Sequence, residues 1–235
     1  MALDPQRQTA YLEAMGIQPW VAREATRGAG EALPPVEPGL PGADAEAIAT
    51  LDWQALQAAV ANCTRCDLHR SRTRTVFGVG DPQARWLVIG EAPGAEEDRQ
   101  GEPFVGRAGQ LLDAMLKAVG LARGQVYIAN ILKCRPPNNR DPHADEVACC
   151  TPYLQRQIEL IDPALILAVG RIAAQHLLHS DQPIGKLRGQ VHRYGEAGIP
   201  LVATYHPAYL LRSPAEKRKA WQDLQLAQRT AQGLG

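Results

Sequence analysis

Apolar residues along the chain gather into four short unbroken runs, at 86–89 (WLVI), 126–129 (VYIA), 164–169 (ALILAV) and 199–204 (IPLVAT). Runs of this length without polar alternation read as strands buried on both faces. Between and around them the spacing changes to every third or fourth position, which predicts helices. One starts near Thr50, with Leu56, Ala59, Val60 and Cys63 on one side, and a second covers 108–119. A third opens at Asp141-Pro142, an N-cap residue followed by proline at the first helical position, and carries Val147, Cys150, Leu154, Ile158 and Ile161. A fourth lies about 172–178. Ser213-x-x-Glu216 has the form of a capping box and predicts a last helix with Trp221 and Leu224 on its inner side. Strands alternating with helices give an α/β fold class: three layers, α/β/α, around a central four-stranded mainly parallel sheet.

In open sheets of this class, ligands bind outside the carboxyl ends of the strands. The runs end in Gly90-Glu91, Asn130, Gly170 and His206, so the pattern alone brings Glu91, Asn130 and His206 to one rim. The loop after the first run, within 90–113, holds five glycines and two prolines and is long enough to suggest a function. It is not a phosphate loop: no Gly-Lys-Ser/Thr follows, and Glu91, Glu96, Glu97, Asp98 and Glu102 would repel a polyphosphate. Its aromatic residue, Phe104, offers a flat face to a planar ligand. Upstream, 5–16 reads as a short helix with Tyr11, Leu12 and Met15 on one side, and 28–43, with four glycines and four prolines, reads as a linker. The expected organisation is an appendage and linker over 1–45 and one domain over 46–235.

Composition changes this picture little. Of 235 residues, 45% are hydrophobic and 21% charged, ordinary values for a soluble globular protein. No apolar run approaches the ~20 residues needed to span a bilayer, and no basic region followed by an apolar stretch stands at the N-terminus, so a cytoplasmic protein without membrane contact is expected. Net charge is zero, which excludes a generic DNA coater, but residues 1–50 hold seven acids against three bases, leaving 18 acids and 22 bases over 51–235. That weak basic bias is compatible with a local DNA-binding face. Five cysteines without a signal peptide point to metal or redox chemistry before disulfides. Cys63-x-x-Cys66 supplies two corners of a ligand set that Cys134 and Cys150 would close, although either of the latter can equally be a small buried hydrophobe. Spacing does not separate zinc from an iron–sulfur cluster.

The stretch GEAPG…EED…G.PFVG.AGQLLD, together with CRPPNNR at 134–140 and HPAYLLR at 206–212, resembles the motifs of the iron–sulfur family 4 uracil-DNA glycosylases, and the similarity runs from about Leu56 to the C-terminus. The resemblance implies a [4Fe–4S] cluster on Cys63, Cys66, Cys134 and Cys150; the family's spacing selects Cys150 over Cys149. It implies a monofunctional enzyme, expected as a monomer, that removes uracil from single- or double-stranded DNA and leaves an abasic site. An enzyme acting on a base within duplex DNA must extrude it into a pocket. Phe104 then stacks on the pyrimidine, Asn130 reads O4 and N3–H, and His206 donates to O2 as charge accumulates on the leaving base. Tyr209, Leu210 and Leu211 are candidates for a DNA wedge, with Arg212 in the same motif, although at least one of the leucines is expected to cap the core instead. Family 1 glycosylases carry an aspartate just after the first strand, where this chain has Ala92, so Glu91 or Asn139 is expected to orient the water, and Glu97 to crowd the C5 position. The uracil-trapping relatives have KRRIH where this chain has CRPPNNR, so turnover is expected. Two other readings of the same residues are a non-catalytic metal-stapled nucleic-acid-binding module and an iron–sulfur electron carrier.

Overall fold

The structure is a computed structural model that describes residues 41–233. The helix expected over 5–16 and most of the linker lie outside these residues. Helix α1 (Pro41–Ala49) takes in the last three residues of the expected linker. Helix α2 (Trp53–Ala61) is capped by Asp52, whose carboxylate accepts from the Ala55 N–H at 2.8 Å, and it buries Leu56 and Val60.

All four expected strands are present: β2 (Trp86–Gly90), β3 (Tyr127–Asn130), β4 (Leu165–Val169) and β6 (Ile199–Thr204). They lie in the order β3-β2-β4-β6 and pair in parallel, every residue of β2, β3 and β4 being buried. The sheet has six strands rather than four. Two short antiparallel strands, β1 (Val79–Gly80) beside β3 and β5 (Val191–Tyr194) beside β6, complete its edges. Alternate residues point to opposite faces, and the core divides accordingly. Trp86, Val88, Ile128, Leu167 and Val202 face helix α4 (Arg107–Ala118) and helix α9 (Lys217–Gln232). Leu87, Ile89, Ile166 and Leu201 face helix α5 (Ala144–Ile161) and helix α6 (Arg171–Leu177). The three-layer α/β/α architecture therefore stands. Two shorter helices, α3 (Ala95–Gln100) in the long loop and α7 (Ile184–Leu187), and α8 (Pro207–Arg212) after β6, complete the set described.

Three local expectations need correction. The N-cap of α5 is His143, not Asp141; Glu146 turns back to accept from the His143 N–H at 2.8 Å and is held by Arg140 at 2.9 Å, a stronger stop than the Asp-Pro signal. The segment from Ser213 opens with a 3-10 turn (Pro214–Glu216), and Ser213 makes no side-chain cap bond. Trp221 is 39% exposed, whereas Leu224 is buried, because the inner stripe of α9 runs through Ala220, Leu224 and Ala227.

Candidate active site

At the carboxyl edge of the sheet, Gly90 of β2 stands in register with Asn130 of β3, and β4 and β6 end alongside in Val169 and Thr204. A cleft of about 810 Å³ opens over this edge. It is lined by Glu91, Ala92, Glu97 and Phe104 from the loop after β2, by Asn130 and Asn139, and by His206, Tyr209 and Arg212. Four separate segments thus bring together the residues singled out at the rim.

Phe104 reaches the cleft through an unusual backbone. Its φ of 54° is left-handed, a conformation that costs a bulky residue about 1–3 kcal/mol and persists only when its surroundings enforce it. Glu97 does so from one side: its Oε1 accepts from the N–H groups of Val105 (3.1 Å) and Gly106 (3.3 Å), and its Oε2 from Gly94 N–H at 3.1 Å. From the other side Arg123 donates to the Pro103 carbonyl and pairs with Asp113 at 3.0 Å. The bend also requires Gly109, where an added Cβ would lie 1.7 Å from the Phe104 carbonyl oxygen. Gly90 leaves room in the same way, since a Cβ there would meet Asn130 Oδ1 at 2.4 Å and Phe104 Cζ at 2.7 Å. The Phe104 ring packs directly on the His206 imidazole, centroids 5.6 Å apart and planes 30° apart. A planar ligand therefore meets the two rings from the open side of the cleft, not from between them.

Asn130 is buried, yet its Oδ1 has no hydrogen-bond partner. Buried polar groups are nearly always satisfied, so an open acceptor on a residue lining a cleft is the mark of a ligand position. His206 is defined more fully. Its Nδ1 accepts from the Ala208 N–H at 3.1 Å. Nδ1 is therefore unprotonated and the proton sits on Nε2. Burial above all, assisted by nearby Arg212 and opposed by Glu97, lowers its pKa to about 4, so the imidazole is neutral at physiological pH. Glu91 moves the other way: burial first, then the charge of Asp141, raise its pKa to about 7 against the pull of Arg171. Arg171 and Asp141 form an ion pair at 2.7 Å beside it. Asn139 also lines the cleft; its Oδ1 accepts from Arg135 Nε at 2.7 Å, which leaves its amide N–H groups and the second lone pair of that oxygen to offer.

Leu210 corrects an expectation. It is only 1% exposed and packs into the core beneath α8 because that helix turns every third or fourth residue inward, so it cannot serve as a wedge. Tyr209 and Leu211 are each 37% exposed and remain available. Glu97 lines the cleft and also has its oxygens engaged by loop amides, a second role that its place three residues after Gly94, at a helix start, could have signalled. Missing from the sequence reading were Asp141, Arg171 and Tyr205, which also line the cleft. The position of Gly170-Arg171 after the third apolar run and of Tyr205 after the fourth pointed to two of them.

Away from the residues that line the cleft, the cysteines come near one another. All five are free thiols. Burial pushes Cys66 up to about 11 and Cys150 up to about 12, and the neighbouring sulfurs contribute: Cys134, Cys149 and Cys63 at Cys66, Cys134 and Cys66 at Cys150. Arg72 donates from Nη1 to Cys134 Sγ at 3.2 Å and to the Cys63 carbonyl at 2.7 Å. Cys149 points elsewhere, to the Arg65 carbonyl at 3.3 Å. Thiols gathered in this way, with a guanidinium on one sulfur, have the donor chemistry of a site that holds thiolates against a positive centre. Among the described residues no group of three or more His, Cys, Asp or Glu is disposed to hold a single metal ion.

A parallel sheet with these motifs at its carboxyl edge has known counterparts. The family model of the uracil DNA glycosylase superfamily matches residues 77–225, and the chain belongs to that superfamily. Its place there is with the type-4 uracil-DNA glycosylases: it is 43% identical to that of Pyrobaculum aerophilum over 74% of this chain and 92% of the relative. It is 47% identical to that of Archaeoglobus fulgidus over 66% and 81%, and 45% identical to that of Thermotoga maritima over 66% and 80%.

Proposed function

We propose that the chain is a monofunctional uracil-DNA glycosylase that hydrolyses the N-glycosidic bond of deoxyuridine in single- or double-stranded DNA and leaves an abasic site, the first step of base excision repair. The observation that carries this reading is the open Oδ1 of buried Asn130 beside Phe104 and a neutral His206 whose Nε2 holds a proton. An extruded uracil lies on the exposed part of Phe104. Its N3–H donates to Asn130 Oδ1 and its O4 accepts from the Asn130 amide. A base with the reversed donor pattern would leave these buried groups unpaired, which discriminates by about 10⁴-fold.

As the glycosidic bond lengthens, negative charge gathers on uracil O2 and positive charge on the sugar. His206 Nε2–H donates to O2; a preorganised donor of this kind lowers the barrier by about 3–4 kcal/mol. Because the imidazole is neutral, it stabilises the anion without transferring a full proton. Ala92 leaves no strong base after β2, so departure of the base leads and water follows. Asn139 can hold that water through its amide N–H or through the second lone pair of Oδ1, the first being taken by Arg135. The acceptor that turns a lone pair of the water towards the sugar is Glu91, whose carboxylate also favours the cationic sugar. Tyr209 and Leu211 enter the duplex at the gap, with Arg212 beside them.

Cys63, Cys66, Cys134 and Cys150 would hold the [4Fe–4S] cluster, which when bound supplies a covalent staple between α2's C-terminal turn, the exit of β3 and α5. The mutual proximity of the four thiols and the Arg72 contact support this assignment. The partner is DNA with an extruded base, and the protein acts as a monomer in the cytoplasm.

A fluorescent oligonucleotide with one uracil, treated with the protein and then with alkali, tests the reading. Strand scission at uracil is expected with wild type and its loss with His206→Ala of unchanged iron content. Equal scission by both proteins would reject the role given to His206, and none by wild type would reject the enzyme.

A further inference from the structure

Lys133 lies three residues beyond Asn130, where the chain leaves β3, and it is only 2% exposed. Lysine is seldom buried, and it does not line the cleft. Its Nζ donates to the main-chain oxygen of Asn130 at 2.8 Å and to Oε1 of Gln157 at 2.6 Å. Gln157, itself fully buried in α5, donates onward from Nε2 to the Phe77 carbonyl at 3.0 Å. The main-chain oxygen of Lys133 accepts from the Val76 N–H at 2.8 Å, which fixes the root of the side chain as well as its tip. An amine donates whether or not it is protonated, so both bonds are independent of its charge.

We propose that Lys133 is a positioning residue for base recognition: anchored by Gln157, it holds the Asn130 peptide from behind and thereby fixes the amide whose Oδ1 is open to the cleft. The inference rests on the reading of Asn130 as the residue that pairs with uracil. Recognition of a planar edge needs its partner held within about 0.5 Å. The peptide after Asn130 is held on its N–H side by Ile131, which donates to the Gly90 carbonyl at 3.0 Å, and Lys133 holds its oxygen from inside the protein, where the ligand never reaches. A displaced amide weakens its bonds to the base in the ground state and on the way to the transition state alike, so both affinity for uracil and rate depend on it.

The test is a double-mutant cycle of Lys133→Met with Asn130→Ala, read by single-turnover excision from a uracil oligonucleotide, by inhibition with free uracil and by thermal unfolding. Lys133→Met is expected to lower the excision rate and raise the inhibition constant of uracil by ~10- to 100-fold. In the Asn130→Ala background the same change is expected to have no further effect on either quantity. A lysine with a purely structural task would lower the unfolding temperature and cost the same factor in both backgrounds, which overturns the inference. Gln157→Met decides in the same manner, with a smaller loss of the same sign, if Lys133→Met does not fold. Wild-type uracil inhibition in both folded variants would sink the inference and leave the reading of Asn130 standing. A fully active Asn130→Ala enzyme would remove that reading, and this one with it.

Discussion

The imidazole of His206 is a donor by construction. The Ala208 N–H occupies Nδ1, and burial keeps the ring uncharged. Between pH 5 and 8 the excision rate should therefore show no inflection from this residue. Glu91 is different. Its pKa of about 7 means that the carboxylate proposed to act at the sugar forms only as pH rises through that value. Single-turnover rates should fall about tenfold per unit below pH 7 and level off above it, and Glu91→Gln should be slower and flat across the range. Stability runs the opposite way for the same group. A carboxyl whose pKa is raised on folding binds its proton more tightly in the native state, so its contribution declines as pH rises from its ordinary value of 4.5 towards 7. Glu91→Gln should accordingly melt at a higher temperature than wild type at pH 8 and nearly the same at pH 4. The identities of these residues were legible in the sequence because each follows an apolar run. Their protonation was not, for it depends on Ala208, Asp141, Arg171 and Arg212, which only the folded chain brings near. Lys133 was hidden for a related reason: a lysine in a polar, proline-rich stretch reads as solvated.

Elements position these groups, and two of them do so under visible constraint. The turn that carries Phe104 depends on Gly109 at the start of α4; Gly109→Ala would drive a methyl into the Phe104 carbonyl. That variant should lose uracil excision by two orders of magnitude or more, about the cost of misplacing a catalytic-site group, while far-ultraviolet circular dichroism still reports its helices. Below the His206 turn, Thr204 at the end of β6 donates to Asp223 of α9 at 2.9 Å, and Arg188 donates to the same carboxylate at 2.7 and 2.9 Å. Asp223 is fully buried, so its removal strands a guanidinium and a hydroxyl. Asp223→Ala should cost about 3–5 kcal/mol in denaturant unfolding. Unbroken apolar runs made the four central strands readable. Val79–Gly80 and Val191–Tyr194 were not, the first because two residues carry no pattern, the second because VHRY is half polar and takes its strand form from pairing with β6. Capping signals misled where a side chain had a better partner elsewhere, as Glu146 with Arg140 in place of Asp141.

In the molecule as a whole, every cysteine assigned to the cluster and every residue assigned to the cleft falls between positions 63 and 212. A chain begun at Gly39 should therefore excise uracil at the wild-type rate, measured on the same oligonucleotide. Cys66→Ala should bind less iron and unfold at a lower temperature, because the segment after α2 loses its tie to α5. The sheet that carries the cleft is finished on both sides by short strands running against the rest, one of two residues and one of four. Neither presents a long flat ledge on which a foreign strand could template itself. Clumping on heating should thus wait for the global melt instead of preceding it, and turbidity should lag loss of ellipticity.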